Sequence, residues 1–493
     1  MNTFSEAEKN EENRKNLVQK AGRGILWNFL TFALGKVSVL VTTAILARLL
    51  TKNDFGLVSV AVIAVNYLSI VKDLGLGVAL IQKREDVTRA SNTVFTINLI
   101  LGFFLTGVSF IIAPWFSTLF NEPEVTPVLR WLGVSFAINA LGAVHSAWLM
   151  REMDYRRKFI PDMGNSLVKT IASIVLAFSG AGVWALVLGQ LLGSLASAIL
   201  YWVITPWKPR LVIHADLAKG LLNFGSTVTL GDILGVIIDN LDYIIVGRIF
   251  GVEQLSVYQL AYRLPEVLLV GNLWVMSGVT YPAFSSIQNN MDEIRRAFLM
   301  SIRLIQLLTL PIALGLFLTA DPIVRVVFGL NWLEVIPILR VLSIYALIYS
   351  FSYHVGDIYK ATGRPYLLVW LSIAHLMVLA PSMLLGAYYF GPIGVAYGHV
   401  VAITFKRILG LGIAMRFVKV TPLEILRQYR PSFSGALLMI PVVLLASFFV
   451  KDLDPFVQLP ILVAAGALAY FAVLWKIERE NLTRLLKKIF VRK

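Results

Sequence analysis

The sequence predicts an all-α integral membrane protein with about 14 transmembrane helices: two parallel-repeat six-helix lobes around a central cavity, plus two C-terminal helices. Three observations predict this fold. The 493 residues are 57% hydrophobic and only 15% charged, with a mean hydropathy of +0.75, whereas a soluble domain is about 25% charged. The apolar residues fall in blocks of about twenty, which is the length of a membrane-spanning helix. Finally, parts of the second half repeat parts of the first.

The hydropathy pattern places the spans, after a polar N-terminal segment (1–24) that has no apolar core of a cleavable signal. The predicted spans are 25–47, 55–76, 91–113, 127–149, 159–179, 182–204, 220–244, 256–281, 297–319, 336–356, 366–387, 392–414, 432–450 and 457–475. Because their number is even, both termini are expected on one side of the membrane.

The distribution of Lys and Arg predicts which side that is. The N-terminal segment, the connections near 82–90, 151–158, 205–219, 285–303, 357–364 and 406–430, and the tail hold 33 of the 44 basic residues and 15 acidic ones. The opposite connections hold five basic and eight acidic residues. Since short cytoplasmic loops carry the basic excess, both termini are predicted to be cytoplasmic. The net charge of +15 thus indicates topology rather than nucleic-acid binding.

An internal repeat predicts the two lobes. ILARLLTKNDFGLVSVA, which begins at Ile45, aligns with IIVGRIFGVEQLSVYQLA, which begins at Ile244, so that Arg48 meets Arg248. PVLRWL and PILRVL, at Pro127 and Pro337, form a second pair. An offset of six spans keeps the two copies in the same orientation, as in transporters whose halves rock around a shared site.

The repeat and the charge pattern together set the predicted domain boundaries. They are an N-lobe at 25–204, a cytoplasmic linker at 205–219, a C-lobe at 220–414, spans thirteen and fourteen with their preceding loop at 415–475, and a basic amphipathic tail at 476–493. The tail is expected to lie on the anionic inner leaflet.

The stretches ILARLLTKNDFGL, DLGLGVALIQ after span two and AWLMREMDYRRKF after span four resemble the polysaccharide transporter, or oligosaccharide flippase, family. That family belongs to the multidrug/oligosaccharidyl-lipid/polysaccharide flippase superfamily. The resemblance covers roughly residues 20–420. It implies a bacterial inner-membrane exporter of an undecaprenyl-pyrophosphate-type lipid-linked oligosaccharide for capsule, exopolysaccharide, O-antigen or teichuronic-type polymers. Polymerases and glycosyltransferases of the same pathway would be its partners.

Two other functions remain as alternatives. A polysaccharide polymerase or ligase would need a folded outer loop with catalytic groups, and no predicted outer connection is long enough to hold one. The sequence shows no metal motif, nucleophile elbow or nucleotide loop, and it has no cysteine. We therefore expect no enzyme activity, no metal and no cofactor. The other alternative is an antiporter of cationic drugs on the same fold.

Charged residues inside spans are the candidate site residues, because burying them in hydrocarbon is costly without a partner or a wet cavity. In the N-lobe, Lys36 lies midway through span one and is predicted to bind the pyrophosphate in a wet cavity, the alternative being an internal ion pair. Lys169 either contacts substrate or forms a structural pair with Asp162, seven residues before it, bridged through Asn165 or Ser166. Lys72 and Asp73 are expected to reach the headgroups. Arg130 and its repeat counterpart Arg340 either snorkel to the outer surface or contact substrate near the exit.

The C-lobe carries the candidates for ion coupling. Asp232, Asp239 and Asp242 lie in span seven, and Glu266 follows Arg263 by three residues around Pro265. Arg263 is also a candidate for substrate binding in the cavity. One hypothesis is that the carboxylates exchange H⁺ or Na⁺ for the exported lipid. The other is that Arg263 pairs with one of these acids and only holds spans seven and eight together. Two histidines near the inner span ends, His145 and His354, are weaker candidates for a proton relay.

Overall fold

A computed structural model describes the backbone of residues 2–72, 75–83 and 85–490. Its side chains are described for 24, 26–72, 75–83, 85–220 and 233–477. The described helices are α1 (Asn2–Leu49), α2 (Lys52–Lys72), α3 (Leu76–Gln82), α4 (Val87–Phe120), α5 (Val125–Arg151), α6 (Tyr155–Phe178), α7 (Val183–Ile204), α8 (Ala215–Phe250), α9 (Val252–Pro265), α10 (Gly271–Ser286), α11 (Met291–Leu318), α12 (Ala320–Val327), α13 (Val335–Ser350), α14 (Val355–Ala361), α15 (Tyr366–Phe390), α16 (Pro392–Val418), α17 (Pro422–Val450) and α18 (Pro455–Phe490).

Eleven helical segments among the described residues are long and apolar enough to cross a membrane. They include every predicted span except the fifth, seventh and twelfth, which fall on α6, α8 and α16. Large apolar side chains such as Ile111 and Phe449 are about 80% exposed, at 78% and 80%, as expected for a surface that faces lipid. The all-α membrane fold is therefore confirmed, and the number of 14 spans stays a prediction.

Three predicted spans are not one regular α-helix from end to end. In span two, α2 ends at Lys72 and α3 begins at Leu76, and Gly75 has a φ of 64°. In span eight, α9 ends at Pro265 and continues as a π-helical turn, Glu266–Val270, because proline removes a backbone hydrogen bond. In span ten, a turn at 351–354 separates α13 from α14. Interruptions of this kind at membrane depth are tolerated where they are buried or line a cavity.

The chain divides into two compact units. Unit 1 is Met1–Asn240 with Gly251–Glu253, and unit 2 is Leu241–Phe250 with Gln254–Lys493. The helix ends follow the repeat, since α1 ends at Leu49 and α8 at Phe250, while α5 begins at Val125 and α13 at Val335. The predicted lobe boundaries stay predictions. The predicted tail lies in α18, and its side chains from 478 onward are outside the described residues.

Unit 1 is built from antiparallel helix pairs that approach closely at small residues. In the pair α6 and α7, a Cβ added to Gly193 would lie 2.9 Å from the Asn165 carbonyl oxygen and 2.8 Å from Lys169 Cβ. A Cβ on Gly189 would lie 1.9 Å from Ser173 Oγ. Glycines four residues apart thus permit the close helix contact that membrane proteins use in place of a hydrophobic driving force.

Unit 2 has its own core at the end where α10, α11, α14, α16 and α17 meet. Buried apolar residues there include Phe284, Phe298, Ile358, Ala414 and Ile425. The Tyr359 hydroxyl donates to the Gly410 carbonyl oxygen at 2.7 Å, which ties α14 to α16. The short helix α14 is therefore held firmly against the rest of unit 2.

Candidate substrate cavity

Unit 1 contains a cavity of about 550 Å³ between α2, α3, α4, α5, α6 and α7. Its polar lining consists of Lys72, Asn98, Asn139, Ser146, Asn165, Gln190, Ser194, Ser197 and Tyr201. The remaining lining residues are small or apolar, including three glycines. On the predicted topology, most of these positions lie in the cytoplasmic half of the N-lobe spans, and Gln190 lies just beyond the midpoint of span six.

The close packing of α6 and α7 places a lysine beside this cavity. Lys169 Nζ donates to Gln190 Oε1 at 2.5 Å, and Gln190 lines the cavity. The α6–α7 contact at Gly193 holds the Lys169 stem against α7. The close contact at Gly193 thus positions the ammonium group of Lys169 directly behind Gln190, a residue of the cavity lining.

A second polar contact joins α6 and α7 at Asp162, seven residues before Lys169 on α6. Asp162 accepts from Lys158 Nζ at 2.6 Å and from the Tyr201 hydroxyl at 2.7 Å. Tyr201 lines the cavity, so this bond fixes the orientation of its ring. Asp162 is therefore held by Lys158 and Tyr201. The bridged pairing of Asp162 with Lys169 stays a prediction.

The charged side chain among the described lining residues of the cavity is positive. Lys72 lines it, and no Asp or Glu is among the described lining residues. The side-chain oxygen of Asn98 is buried and has no hydrogen-bond partner in the protein. Amides and hydroxyls of this kind bind sugar hydroxyl groups, and a lysine binds phosphate oxygens with charge-assisted hydrogen bonds. The cavity can therefore hold a polar, anionic ligand.

The other N-lobe candidates lie away from this cavity. Lys36 is half-buried in α1, its ammonium group is 5.6 Å from the centre of the Phe32 ring, and it is not among the described lining residues. Arg130 Nε donates to the Phe110 carbonyl oxygen at 3.3 Å, and its guanidinium lies 5.9 Å from the Phe110 ring. Arg130 thus links α5 to α4. The roles proposed for both residues stay predictions.

The two cationic candidates of unit 2, Arg263 and Arg340, have different surroundings. Arg263 forms an ion pair with Glu266 at 3.5 Å, and both side chains are 33% exposed. These two residues are the neighbours around Pro265, so this pair lies within span eight, and the coupling and span-locking hypotheses stay predictions. Arg340 is exposed on α13, as a snorkelling residue would be. Neither residue is among the described lining of the unit 1 cavity.

The acidic candidates differ sharply in burial. Asp242 is 2% exposed, and its carboxylate lies 3.7 Å from Nδ1 of the equally buried His399. The His399 ring packs against Tyr345 at 4.1 Å. Asp239 is exposed, and the side chain of Asp232 lies outside the described residues, as does Asp73. Asp242 is thus the described span-seven acid with the most enclosed environment.

Sequence reasoning missed the polar residues that shape both units. It looked for sites mainly among charged residues, so it passed over the uncharged amides Asn98 and Asn139, and it considered Asn165 only as a bridge between Asp162 and Lys169. The occurrence of these amides on neighbouring helices was the available signal. It placed Lys72 at the headgroups, although Lys72 lines the cavity. It assigned Asp357 to a cytoplasmic connection, whereas Asp357 is 5% exposed in α14.

His145 is buried in an aromatic cluster rather than in a polar chain. Its ring centre lies 5.2 Å from those of Trp202 and Trp207. His354, by contrast, bonds to Asp357 at 2.9 Å. The two histidines that correspond in the repeat therefore have different surroundings.

Solved structures show the fold of this chain. It superposes on the lipid II flippase MurJ in an inward closed conformation with a TM-score of 0.75, at 17% identity, covering 93% of this chain and 100% of that chain. A multidrug resistance MATE transporter in an inward-facing conformation gives a TM-score of 0.67, at 17% identity, covering 79% of this chain and 94% of that one. Both are helical membrane transporters.

Curated relatives match over most of their length. The chain is 24% identical over 473 residues to the teichuronic acid biosynthesis protein TuaB of Bacillus subtilis, covering 94% of this chain and 97% of TuaB. It is 24% identical over 417 residues to the lipopolysaccharide biosynthesis protein WzxC of Escherichia coli, covering 84% of each. A family model described as polysaccharide biosynthesis protein matches residues 45–337, more than half of the chain. The chain therefore belongs to this polysaccharide biosynthesis protein family.

Proposed function

We propose that this protein is a flippase that carries a polyprenyl-pyrophosphate-linked oligosaccharide across the bacterial inner membrane by alternating access. The observation that carries the proposal is the unit 1 cavity, in which amides, hydroxyls and Lys72 occur without a lining carboxylate among the described residues. A lipid-linked oligosaccharide brings sugars and a diphosphate, and this lining matches both groups.

The relatives support the same substrate class. TuaB and WzxC are named for the biosynthesis of teichuronic acid and lipopolysaccharide, and the succinoglycan protein ExoT of Rhizobium meliloti, 24% identical over 375 residues, is named as a transport protein. MurJ, which shares the fold, is named for flipping lipid II. We accordingly assign this chain a transport step and no catalytic step.

The finer features of the proposal follow from the charge pattern. Both termini are cytoplasmic, since the basic residues collect on their side. Polymerases and glycosyltransferases of the same pathway act before and after the flippase. Asp242 is our candidate for coupling to H⁺ or Na⁺, because burial disfavours a bare negative charge and a bound cation would neutralise it.

Export of cationic drugs is the competing function, and two observations favour it. The MATE fold matches this chain, and Asp242 provides a buried acid. The cavity of unit 1 argues against it, because Lys72 lines the cavity and repels a cation.

Ligand-dependent stability separates these two functions. We expect an undecaprenyl-diphosphate disaccharide to raise the unfolding temperature of the purified, full-length protein, because a ligand that binds only the folded state adds about 2.7 kcal/mol at one hundred times its Kd. Undecaprenol without phosphate is the matched control and should have a much smaller effect. Stabilisation by ethidium, with none by the diphosphate lipid, would instead identify a drug exporter.

A further inference from the structure

The broken span ten of unit 2 borders a cavity of about 200 Å³ that is separate from the unit 1 cavity. The turn at 351–354 contributes Ser352, which has a φ of 54°, and Tyr353. A serine in the left-handed region is uncommon and costs conformational energy, so such positions concentrate at functional sites. Backbone that leaves the helix at membrane depth is also typical of cavities that bind polar ligands.

Arg407 of α16 lines this cavity in a defined orientation. The centre of its guanidinium group lies 4.6 Å from the Tyr349 ring centre and 5.7 Å from that of Tyr353. Stacking on two rings holds the planar guanidinium in place through cation–π attraction. Its Nε–H group is buried and has no hydrogen-bond partner among the described residues. A buried charged donor without a partner is costly, and a bound acceptor would remove that cost.

Arg407 was missed in the sequence because it was counted with the cytoplasmic connection near 406–430. The structure extends α16 to Val418, eleven residues further, and so places Arg407 about 16 Å along the helix axis from that end. Arg407 also lies within the predicted span 392–414, and an arginine inside a span is rare unless it faces a polar cavity or a partner.

Two lysines add positive charge to the same cavity. Lys360 of α14 is exposed at it, and Lys406 precedes Arg407 on α16. The one acidic residue among the described lining is Asp357. Its carboxylate accepts from the Ser277 hydroxyl at 2.8 Å and from the Thr280 hydroxyl at 2.6 Å, and it lies 2.9 Å from His354 Nδ1. Asp357 is thus occupied by other groups, and the three basic residues leave the cavity with an excess of positive charge.

We propose that this cavity binds a phosphate or diphosphate group through Arg407, with Lys406 and Lys360 supplying further charge. Guanidinium and ammonium groups form charge-assisted hydrogen bonds with phosphate oxygens, and the planar guanidinium can bind two of them at once. On the predicted topology the cavity lies toward the cytoplasm. The phosphate can come from the headgroup of an anionic phospholipid or from a diphosphate that enters from water. The proposal rests on unit 2 alone and does not depend on the proposed flippase function.

Binding measurements on the full-length protein test this site. Arg407→Gln removes the charge, and Arg416→Gln, on an exposed residue of the same helix outside the described cavity lining, is the matched control. In a neutral detergent, calorimetric titration with inorganic pyrophosphate measures the aqueous source. In nanodiscs, the unfolding temperature with phosphatidylglycerol, compared with phosphatidylcholine alone, measures the lipid source. If Arg407→Gln does not fold, Lys406→Gln is used in its place.

We expect at least one anion to bind the wild type and Arg416→Gln, and to bind Arg407→Gln about tenfold to a hundredfold more weakly. Pyrophosphate binding would identify an aqueous diphosphate, and stabilisation by phosphatidylglycerol alone would identify a lipid headgroup. If neither anion distinguishes the wild type from Arg407→Gln, the site is refuted. That refutation would leave the flippase proposal standing if the diphosphate lipid still stabilises the protein, because that ligand is assigned to unit 1.

Discussion

Replacing Lys72 with glutamate should lower export of the surface polymer by about tenfold to a hundredfold. Lys72 is the cation that lines the unit 1 cavity, and hydrogen bonds to charged groups contribute about 1.5–3 kcal/mol. The glutamate would also repel the diphosphate. The measurement is the amount of polymer on the surface of cells of the bacterium that encodes this protein, with the variant as the only copy of the gene. The amount of variant protein in the membrane should equal that of the wild type.

Lys219→Glu is the control for this charge reversal. Lys219 is exposed in unit 1, on the same predicted side of the membrane, and it is not among the described cavity lining. Its reversal should leave export nearly unchanged. Equal losses in both variants would mean that the overall cytoplasmic charge matters rather than the cavity, and normal export by Lys72→Glu would remove Lys72 from the site.

Asp357→Asn should destabilise the protein by about 3 kcal/mol, which is a large fraction of the stability of most domains. The carboxylate is 5% exposed and is surrounded by Ser277, Thr280 and His354. The substitution replaces one acceptor oxygen by an NH₂ group, so buried donors lose their partner. The unfolding temperature of the purified protein measures this loss.

A surface pair in the same unit provides the comparison. Asp321 accepts from Arg325 at 2.9 Å, but its side chain is 41% exposed. Exposed ion pairs contribute at most about 1 kcal/mol, so Asp321→Asn should change the unfolding temperature little. If both variants unfold at the wild-type temperature, the Asp357 cluster does not stabilise α14 against α10.

The sequence predicts the course of the helices well because hydrophobic length is read directly along the chain. The repeat around Arg48 and Arg248, for example, matches the ends of α1 and α8. The turn at 351–354 could not be predicted in the same way. The turn is only four residues long, and hydropathy averaged over a window of about twenty residues does not detect a break of that length.

The candidate site was harder to predict because depth in a span can be derived from sequence, whereas the face of the helix cannot. Lys36 was favoured for its depth, yet Lys72, near a span end, is the lysine that lines the unit 1 cavity. Asp162 and Lys169 share a helix face, but both form hydrogen bonds with side chains of α7. Asp162 accepts from Tyr201, and Lys169 donates to Gln190. Partners on other helices depend on packing, which the linear pattern does not contain.

Movement of a lipid-linked oligosaccharide between leaflets tests the central claim most directly. Proteoliposomes would carry a polyprenyl-diphosphate oligosaccharide with a fluorophore on the sugar, and an impermeant reductant would report how much label has reached the outer leaflet. We predict that the wild-type protein moves the labelled lipid much faster than protein-free liposomes do, and that Lys72→Glu removes most of this acceleration. A wild-type rate equal to that of protein-free liposomes, with folded protein in the membrane, would contradict the account.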